Sequence, residues 1–162
     1  MQQEQKHATG GRRWLGLAAW LGLVFSASLT GVFVSTGDWY AELSKPPWNP
    51  PNWIFGPVWT VLYIMMAVAA WRVWLRGGWK QQRTALGLFL VQWALNAIWT
   101  PLFFGLHQLG WAFAEILLLL AMILLTIRAF WMCDRLAGAL LIPYAAWVAF
   151  ASVLNGTIWW MN

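Results

Sequence analysis

Five long apolar runs, separated by short polar stretches, dominate the pattern of hydrophobic and polar positions along the chain. About 20 apolar residues carry a helix across a bilayer, and each run reaches that length. A transmembrane β-barrel would need shorter segments that alternate apolar and polar residues, and these runs do not alternate. The pattern therefore predicts an all-α integral membrane bundle of five transmembrane helices, preceded by a polar N-terminal tail over residues 1–13. The predicted spans are 14–34, 52–75, 84–106, 111–131 and 137–161.

The composition also predicts a membrane protein. Of the 162 residues, 61% are hydrophobic and only 9% are charged, whereas a soluble domain is about one-quarter charged. A single cysteine, Cys133, excludes an internal disulfide and a cysteine-cluster metal site. Neither His7 nor His107 has a second histidine or cysteine at ligand spacing, so we expect no metal site. A role for His107 as an axial haem ligand is the alternative.

The positive charges predict the orientation in the membrane. Nine of the ten lysines and arginines lie in the N-terminal tail or at the span ends on the same side, and Lys45 alone lies on the other side. The positive-inside rule then places the N-terminus in the cytoplasm and Asn162 outside, for a multi-pass protein of a bacterial membrane, most simply the inner one. Because the charges flank apolar runs, they indicate a lipid bilayer as the partner and no nucleic acid. A cleaved signal peptide ending near Ser26-Ala27-Ser28 is the alternative for the first run.

A proline-rich loop follows the first span. Lys45-Pro46-Pro47-Trp48-Asn49-Pro50-Pro51 is incompatible with a helix, since each proline lacks an N–H and favours extended geometry in the residue before it. The sequence predicts a stiff extended or turn segment, with Asn52 capping a helix that contains Pro57 near its start. Such a loop either covers a pocket, with Tyr40 and Trp48 over its mouth, or connects two spans at the membrane interface.

Polar and aromatic residues inside the apolar spans are the candidates for ligand contact. Gln92, Asn96 and Trp99 follow one face of the third span, and Trp59 and Trp147 also lie deep in their spans. Buried amides in a membrane either join helices or contact a ligand. Together with three deep indoles they indicate a site for a flat, mostly apolar ligand with polar edges. Glu115, one turn inside the fourth span, has either a functional or a structural role.

Several motifs resemble the translocator protein family, which includes the tryptophan-rich sensory proteins of bacteria and the peripheral-type benzodiazepine receptor of mitochondria. They occur in the family's order over nearly everything after Val34. The motifs are Trp39-Tyr40, the proline-rich loop at 45–51, PVWTVLY at 57–63, LNAIWTPLFFG at 95–105, and PYAAWVAFASVLN at 143–155.

The resemblance implies a five-helix bundle, usually a homodimer, that binds porphyrins and related tetrapyrroles under the loop between the first two helices. Protoporphyrin IX or haem is then a ligand, and no tightly bound cofactor is expected. The ligand-binding set that follows from the family positions and the candidates above is Tyr40, Trp48, Phe55, Trp59, Asn96, Trp99, Trp111, Trp147, Ala151 and Leu154.

Three functions are compatible with this resemblance. The first is a membrane-embedded binding protein that acts as a sensor or regulator of tetrapyrrole metabolism. The second is a porphyrin transporter, although the sequence shows no inverted repeat. The third is a light-dependent, porphyrin-degrading enzyme without a conventional active site, in which Trp59 and Trp147 are the oxidisable residues. No tyrosine follows Tyr144 and no basic residue follows Arg135, so the chain lacks the sterol-recognition pattern found in mammalian members.

Overall fold

The structure, a computed structural model, describes residues 2–32 and 37–162 and contains only helices as regular elements in those ranges, which confirms the all-α prediction. The first span was predicted to continue to Val34, which lies outside the described residues. The elements are α1 Gln2–Ser26, α2 Leu29–Val32, α3 Gly37–Glu42, α4 Asn52–Leu75, α5 Gly78–Thr100, a π-helical turn Pro101–Gly105, α6 Leu109–Cys133, α7 Arg135–Leu140 and α8 Ile142–Met161.

Five segments of the described chain are long and apolar enough to cross a membrane, as the sequence predicts. They are Arg13–Gly31, Asn52–Leu75, Gly78–Gly105, Leu109–Cys133 and Arg135–Met161. In the bundle α6 packs between α5 and α8, while α4 packs against α1 and α5. The bundle is therefore a set of antiparallel neighbours joined by short connections.

Small residues allow α1 and α4 to approach closely. Ala67, Ala69 and Ala70 of α4 are fully buried, and a Cβ at Gly16 of α1 would lie 2.6 Å from the ring of Trp74. Helices in lipid gain most from such close packing, because the lipid tails are as apolar as the side chains. The N-terminal polar tail belongs to the same helix as the first span, since α1 begins at Gln2.

The first span is interrupted at Ala27 and Ser28, where an unbroken helix was predicted. Two hydroxyls here bond to carbonyls three residues earlier: Ser26 Oγ donates to Leu23 O and Ser28 Oγ to Phe25 O, both at 2.6 Å. Local hydroxyl bonds of this kind compete with the helical ladder and often bend a helix. The interruption gives the C-terminal end of the span a surface of small residues, Ala27, Ser28 and Gly31.

Two other spans differ from the prediction, one in where it begins and one in being divided. α5 begins at Gly78 instead of residue 84, because Gly77 (φ +137°) and Gly78 (φ +66°) complete the turn within two residues. The predicted start lies just beyond a kink at Gln82, whose φ is −111° and ψ 23°. The last span divides at Leu141 into α7 and α8, since Pro143 cannot donate a hydrogen bond to the preceding turn.

The proline-rich loop has the predicted non-helical backbone. Residues 45–51 are extended apart from a turn in which Asn49 N–H donates to Pro46 O at 2.9 Å. α4 contains Pro57, as expected, but Asn52 is its first residue and not its cap. Pro51 occupies the N-cap position, and no side chain caps the helix there. We call residues 37–51, which comprise α3 and the proline-rich loop, the lid.

Asp134 joins three elements at the end of the bundle opposite the lid. Its Oδ2 accepts hydrogen bonds from Arg72 at 2.8 Å and Arg76 at 3.0 Å, and its Oδ1 accepts from the N–H groups of Leu136 and Ala137. Burial alone would raise the pKa of this carboxyl, but the bonds from Ala137, Arg76 and Arg72 outweigh it and lower the pKa below its ordinary value. The charged carboxylate thus stabilises the fold.

We expect Asp134→Asn to lower the free energy of unfolding in detergent by about 1–3 kcal/mol, because the amide keeps an acceptor for α7 but loses the charge that faces the two arginines. The exposed carboxylate Glu42 gives a matched control, and Glu42→Gln should leave stability unchanged. Since the folded-state pKa is lowered, the contribution of Asp134 should be full above about pH 4 and should disappear as pH falls through the folded-state pKa. Equal stability of the two variants at neutral pH would contradict this role.

Candidate functional site

A cavity of about 390 Å³ lies beneath the lid and extends into the bundle. Its wall is formed by the interruption after α1 with α2, by α3, by the π-helical turn and by the lid-side parts of α4, α5, α6 and α8. Ser28, Gly31 and Asn52 line the cavity and are exposed, so they mark its mouth. Ile116 and Leu119 of α6 line it and are buried, so they mark its deep side. Ile158 is also buried and lines it at the lid end of α8.

The cavity brings together most of the residues predicted to bind a ligand. Trp48 and Trp111 are not among its described lining residues. Trp48 packs against Phe150 with ring centroids 5.9 Å apart, and Trp111 is 71% exposed on the outside of α6. Ligand contact by any of the ten residues stays a prediction. The predicted residues that line the cavity are Tyr40, Phe55, Trp59, Asn96, Trp99, Trp147, Ala151 and Leu154.

Three tryptophans from three helices form the aromatic wall. Trp147 of α8 contacts Phe55 of α4 edge-on at 5.8 Å, and Trp59 lies 5.3 Å from Tyr63. Trp99 of α5 stacks on Phe103, with ring centroids 4.9 Å apart and 25° between the ring planes. Because each indole rests on another ring, the wall is held in shape without a ligand.

Two tyrosine–amide pairs join the helices below this wall. Tyr63 OH donates to Asn96 Oδ1 at 3.0 Å, and Tyr144 OH donates to Gln92 Oε1 at 2.9 Å. Asn96 lines the cavity, whereas Gln92 is buried beneath it, 1% exposed. Gln92 and Asn96 on the polar stripe of α5 therefore both join helices. Asn96 also lies at the cavity surface, where ligand contact stays a prediction.

Asn155 was not among the predicted site residues, but it fixes the position of Trp99. Its Oδ1 accepts from Trp99 Nε1 at 3.3 Å, and its Nδ2 donates to Leu109 O at 3.1 Å, at the start of α6. A buried amide in an apolar span is the sequence signal that could have identified it. Tyr63 could have been found in the same way as Trp59, since it follows one helical turn later on the same face.

Phe103 and Phe104 also line the cavity, and they reach it from the π-helical turn. Leu106 N–H donates to Pro101 O at 2.8 Å across this turn, so the wider turn changes the helical phase after Thr100. A straight helix would direct these two rings differently. The apolar pattern alone contains no signal for such a turn, which is why the sequence did not predict them.

The lid closes over the cavity through aromatic contacts. Tyr40 packs against Phe104 at 5.3 Å, and Trp39 stacks on His107 at 4.0 Å. Burial raises the pKa of the Tyr40 phenol, and the bond to Asn49 opposes that shift only in part, so the neutral phenol donates to Asn49 Oδ1 at 3.2 Å. His107 contacts the lid and is not among the lining residues, so nothing in this cavity supports it as an axial haem ligand.

Glu115 lies outside the lining set. Both of its carboxylate oxygens are buried and have no hydrogen-bond partner in the described part of the chain. Its role stays open between the functional and structural alternatives. In the same described part, no group of three or more His, Cys, Asp or Glu side chains could hold a metal ion.

The fold and the cavity define a class of protein: a five-span membrane bundle with an aromatic-lined cavity under a proline-rich lid. The chain belongs to the TspO/MBR family, whose model matches residues 15–161.

Named relatives extend this similarity to animals and bacteria. The chain is 46% identical to the translocator protein of Ovis aries over 76% of this chain and 75% of that one. It is 42% identical to the tryptophan-rich protein TspO of Chlorobaculum tepidum over 91% and 96% of the two chains. It is 37% identical to the tryptophan-rich sensory protein of Cereibacter sphaeroides over 88% of each chain.

Proposed function

We propose that this protein binds a tetrapyrrole reversibly, with protoporphyrin IX or haem as the ligand, and acts as a sensor or regulator of tetrapyrrole metabolism. The main support is the convergence of Trp59, Trp99 and Trp147 on one cavity from three helices. A porphyrin is flat and apolar across its face, and each stacked indole contributes about 0.5–1.5 kcal/mol beyond area burial. The name of the Cereibacter sphaeroides relative supports the sensing role.

The proposed ligand has a preferred orientation. The cavity volume of about 390 Å³ lies toward the lower end of the range for small-molecule sites, about 300–1,000 Å³. The apolar ring would therefore occupy the cavity while its carboxylates stay at the mouth, near Ser28 and Asn52, where removal from water is least costly. This orientation leaves the ring edge opposite the carboxylates next to Asn96.

The closed deep end of the cavity favours binding over transport. Met66, Phe89 and Tyr144 are fully buried in the core below the cavity, and the Tyr144–Gln92 bond joins α8 to α5 there. A transport path would require these packed side chains to separate. Light-dependent porphyrin breakdown is the second candidate, because Trp59 and Trp147 both line the cavity and would lie beside a bound photosensitiser.

Quenching of tryptophan fluorescence tests the ligand class directly. Protoporphyrin IX, haemin and a sterol are titrated side by side into the purified protein in detergent, with free tryptophan in the same micelles as the reference. We expect saturable binding of the two tetrapyrroles and weaker binding of the sterol. Tighter binding of the sterol, or tetrapyrrole quenching equal to that of free tryptophan in micelles, would contradict the proposal. Illumination of the complex then separates stable binding from breakdown of the ligand.

We further propose that the protein lies in the inner membrane of a bacterium with its N-terminus in the cytoplasm. The charge distribution supports this orientation. With five spans, the lid and Asn162 share the side opposite the N-terminus, which this orientation makes the outer side. Reporter fusions at both termini provide the measurement. We expect a reporter that needs the cytoplasm to be active before residue 1 and inactive after Asn162, and the reverse pattern would refute the orientation.

A homodimer is part of the proposal because the family resemblance implies one. Ala18 and Gly22 of α1 are exposed, and nothing lies within 4 Å of a Cβ built at Gly22. This small-residue face therefore remains available for close contact with a second copy. Cross-linking in native membranes should give a dimer band, and a monomer band alone would argue against the assembly.

A further inference from the structure

Asn162, which follows the last residue of α8, contacts the lid through a pair of hydrogen bonds. Asn162 Oδ1 accepts from Ser44 N–H at 2.9 Å, and Asn162 Nδ2 donates to Ser44 O at 3.0 Å. The same Nδ2 donates to Ile158 O at 2.8 Å, which holds the amide on the end of α8. One side chain thus binds both backbone groups of a single lid residue.

This contact differs in kind from the others that hold the lid. Trp39, Tyr40 and Trp48 pack on aromatic rings of the bundle, and such contacts tolerate sliding. The hydrogen bonds between Asn162 and Ser44, by contrast, are directional and join the lid to the end of α8. Two bonds of defined direction fix the register of the lid, which aromatic packing alone would not.

Lys45 connects Ser44 to Tyr40, a lining residue of the cavity. Its Nζ donates to the carbonyls of Tyr40, Ala41 and Leu43, and it lies 4.6 Å from the centre of the Tyr40 ring. These bonds make the segment from α3 to Lys45 one rigid unit. A shift of Ser44 would therefore move Tyr40, which lines the cavity.

We propose that Asn162 is a positioning residue for the ligand site: its amide holds the lid closed through Ser44 and so slows the escape of a bound ligand. The part of this proposal that concerns the ligand rests on the proposed function, whereas the part that concerns the lid does not. Loss of these two exposed hydrogen bonds changes the opening equilibrium of the lid by about threefold to tenfold. We expect that change in the ligand dissociation rate constant.

The test compares Asn162→Ala with Ser44→Ala. The first removes both bonds, whereas the second leaves them intact because Ser44 takes part through its backbone. Hydrogen exchange of the ligand-free protein is followed by mass spectrometry over residues 39–43, and the dissociation rate of protoporphyrin IX is measured by stopped flow. Asn162→Ala should accelerate both by about threefold to tenfold, and Ser44→Ala should change neither by more than about twofold. Asn162→Asp, which keeps only the acceptor, should be intermediate.

Each outcome decides a separate statement. Unchanged exchange in Asn162→Ala would overturn the closed-lid role, and this result does not depend on any ligand. Faster exchange with unchanged dissociation would overturn the control of ligand escape. If the unaltered protein showed no saturable protoporphyrin binding, the proposed function would be wrong. The hydrogen-exchange comparison would still test whether Asn162 holds the lid closed.

Discussion

Replacing Ala151 with leucine should weaken protoporphyrin binding by at least about fivefold while the bundle stays folded. Ala151 lines the cavity on α8, one turn beyond Trp147, and a larger side chain there would occupy space that the ligand needs. Overfilling a packed site costs about 1–3 kcal/mol, and here that cost arises only when the ligand is bound, so it lowers the affinity. The measurement is the dissociation constant from fluorescence quenching, together with thermal unfolding to confirm that the protein is folded.

Ala146→Leu provides the matched control. Ala146 lies on the same helix but is exposed on the outer face, so the same change adds apolar surface without touching the cavity. We expect parent-like affinity for this variant. If Ala151→Leu also bound protoporphyrin as tightly as the parent, the cavity would not be the binding site, and its tryptophans would be packing residues of the bundle core.

Replacing all four prolines of the lid with alanine should weaken ligand binding by at least about tenfold. Pro46, Pro47, Pro50 and Pro51 restrict the unbound lid, and each proline-to-alanine change returns conformational entropy worth about 0.4–1 kcal/mol. A flexible lid must be ordered when the ligand binds, so that entropy opposes binding. Affinity is again measured by fluorescence quenching, with hydrogen exchange over residues 39–51 to report lid flexibility.

Pro143→Ala is a proline control outside the lid. Pro143 is exposed at the first turn of α8, where an alanine is accommodated without strain. Its affinity should equal that of the parent. An unchanged affinity in the four-proline variant, despite faster exchange in its lid, would mean that the loop only connects two spans.

The apolar pattern predicted a span well where proline and glycine pairs also mark its two ends. The second span, 52–75, coincides with α4, because a proline pair stops the helix on one side and a glycine pair on the other. The pattern failed where local hydrogen bonds decide. The hydroxyls of Ser26 and Ser28 interrupt the first span, and a two-glycine turn lets α5 start early.

Prediction of the site residues depended more on the family resemblance and on which face of its helix each residue occupies than on the apolar pattern. Trp111 precedes the lining residue Ile116 by five positions, which places the two on different faces of α6, and Trp111 is exposed. Phe103 required the π-helical turn, which no hydrophobic pattern encodes. The contact of Asn162 with Ser44 joins residues 118 positions apart, and only the folded bundle brings them together.

Light-driven oxidation by a bound porphyrin tests the central claim most directly, because the damage marks the residues next to the ligand. One equivalent of protoporphyrin IX is added to the protein, the sample is illuminated briefly in air, and oxidised tryptophans are located by mass spectrometry. Trp59, Trp99 and Trp147 line the cavity, whereas Trp53 and Trp160 are 74% and 90% exposed and serve as internal references. We expect oxidation to concentrate on the three cavity tryptophans and to fall in Ala151→Leu. Oxidation concentrated on Trp53 and Trp160, unchanged in that variant, would contradict a tetrapyrrole site inside the bundle.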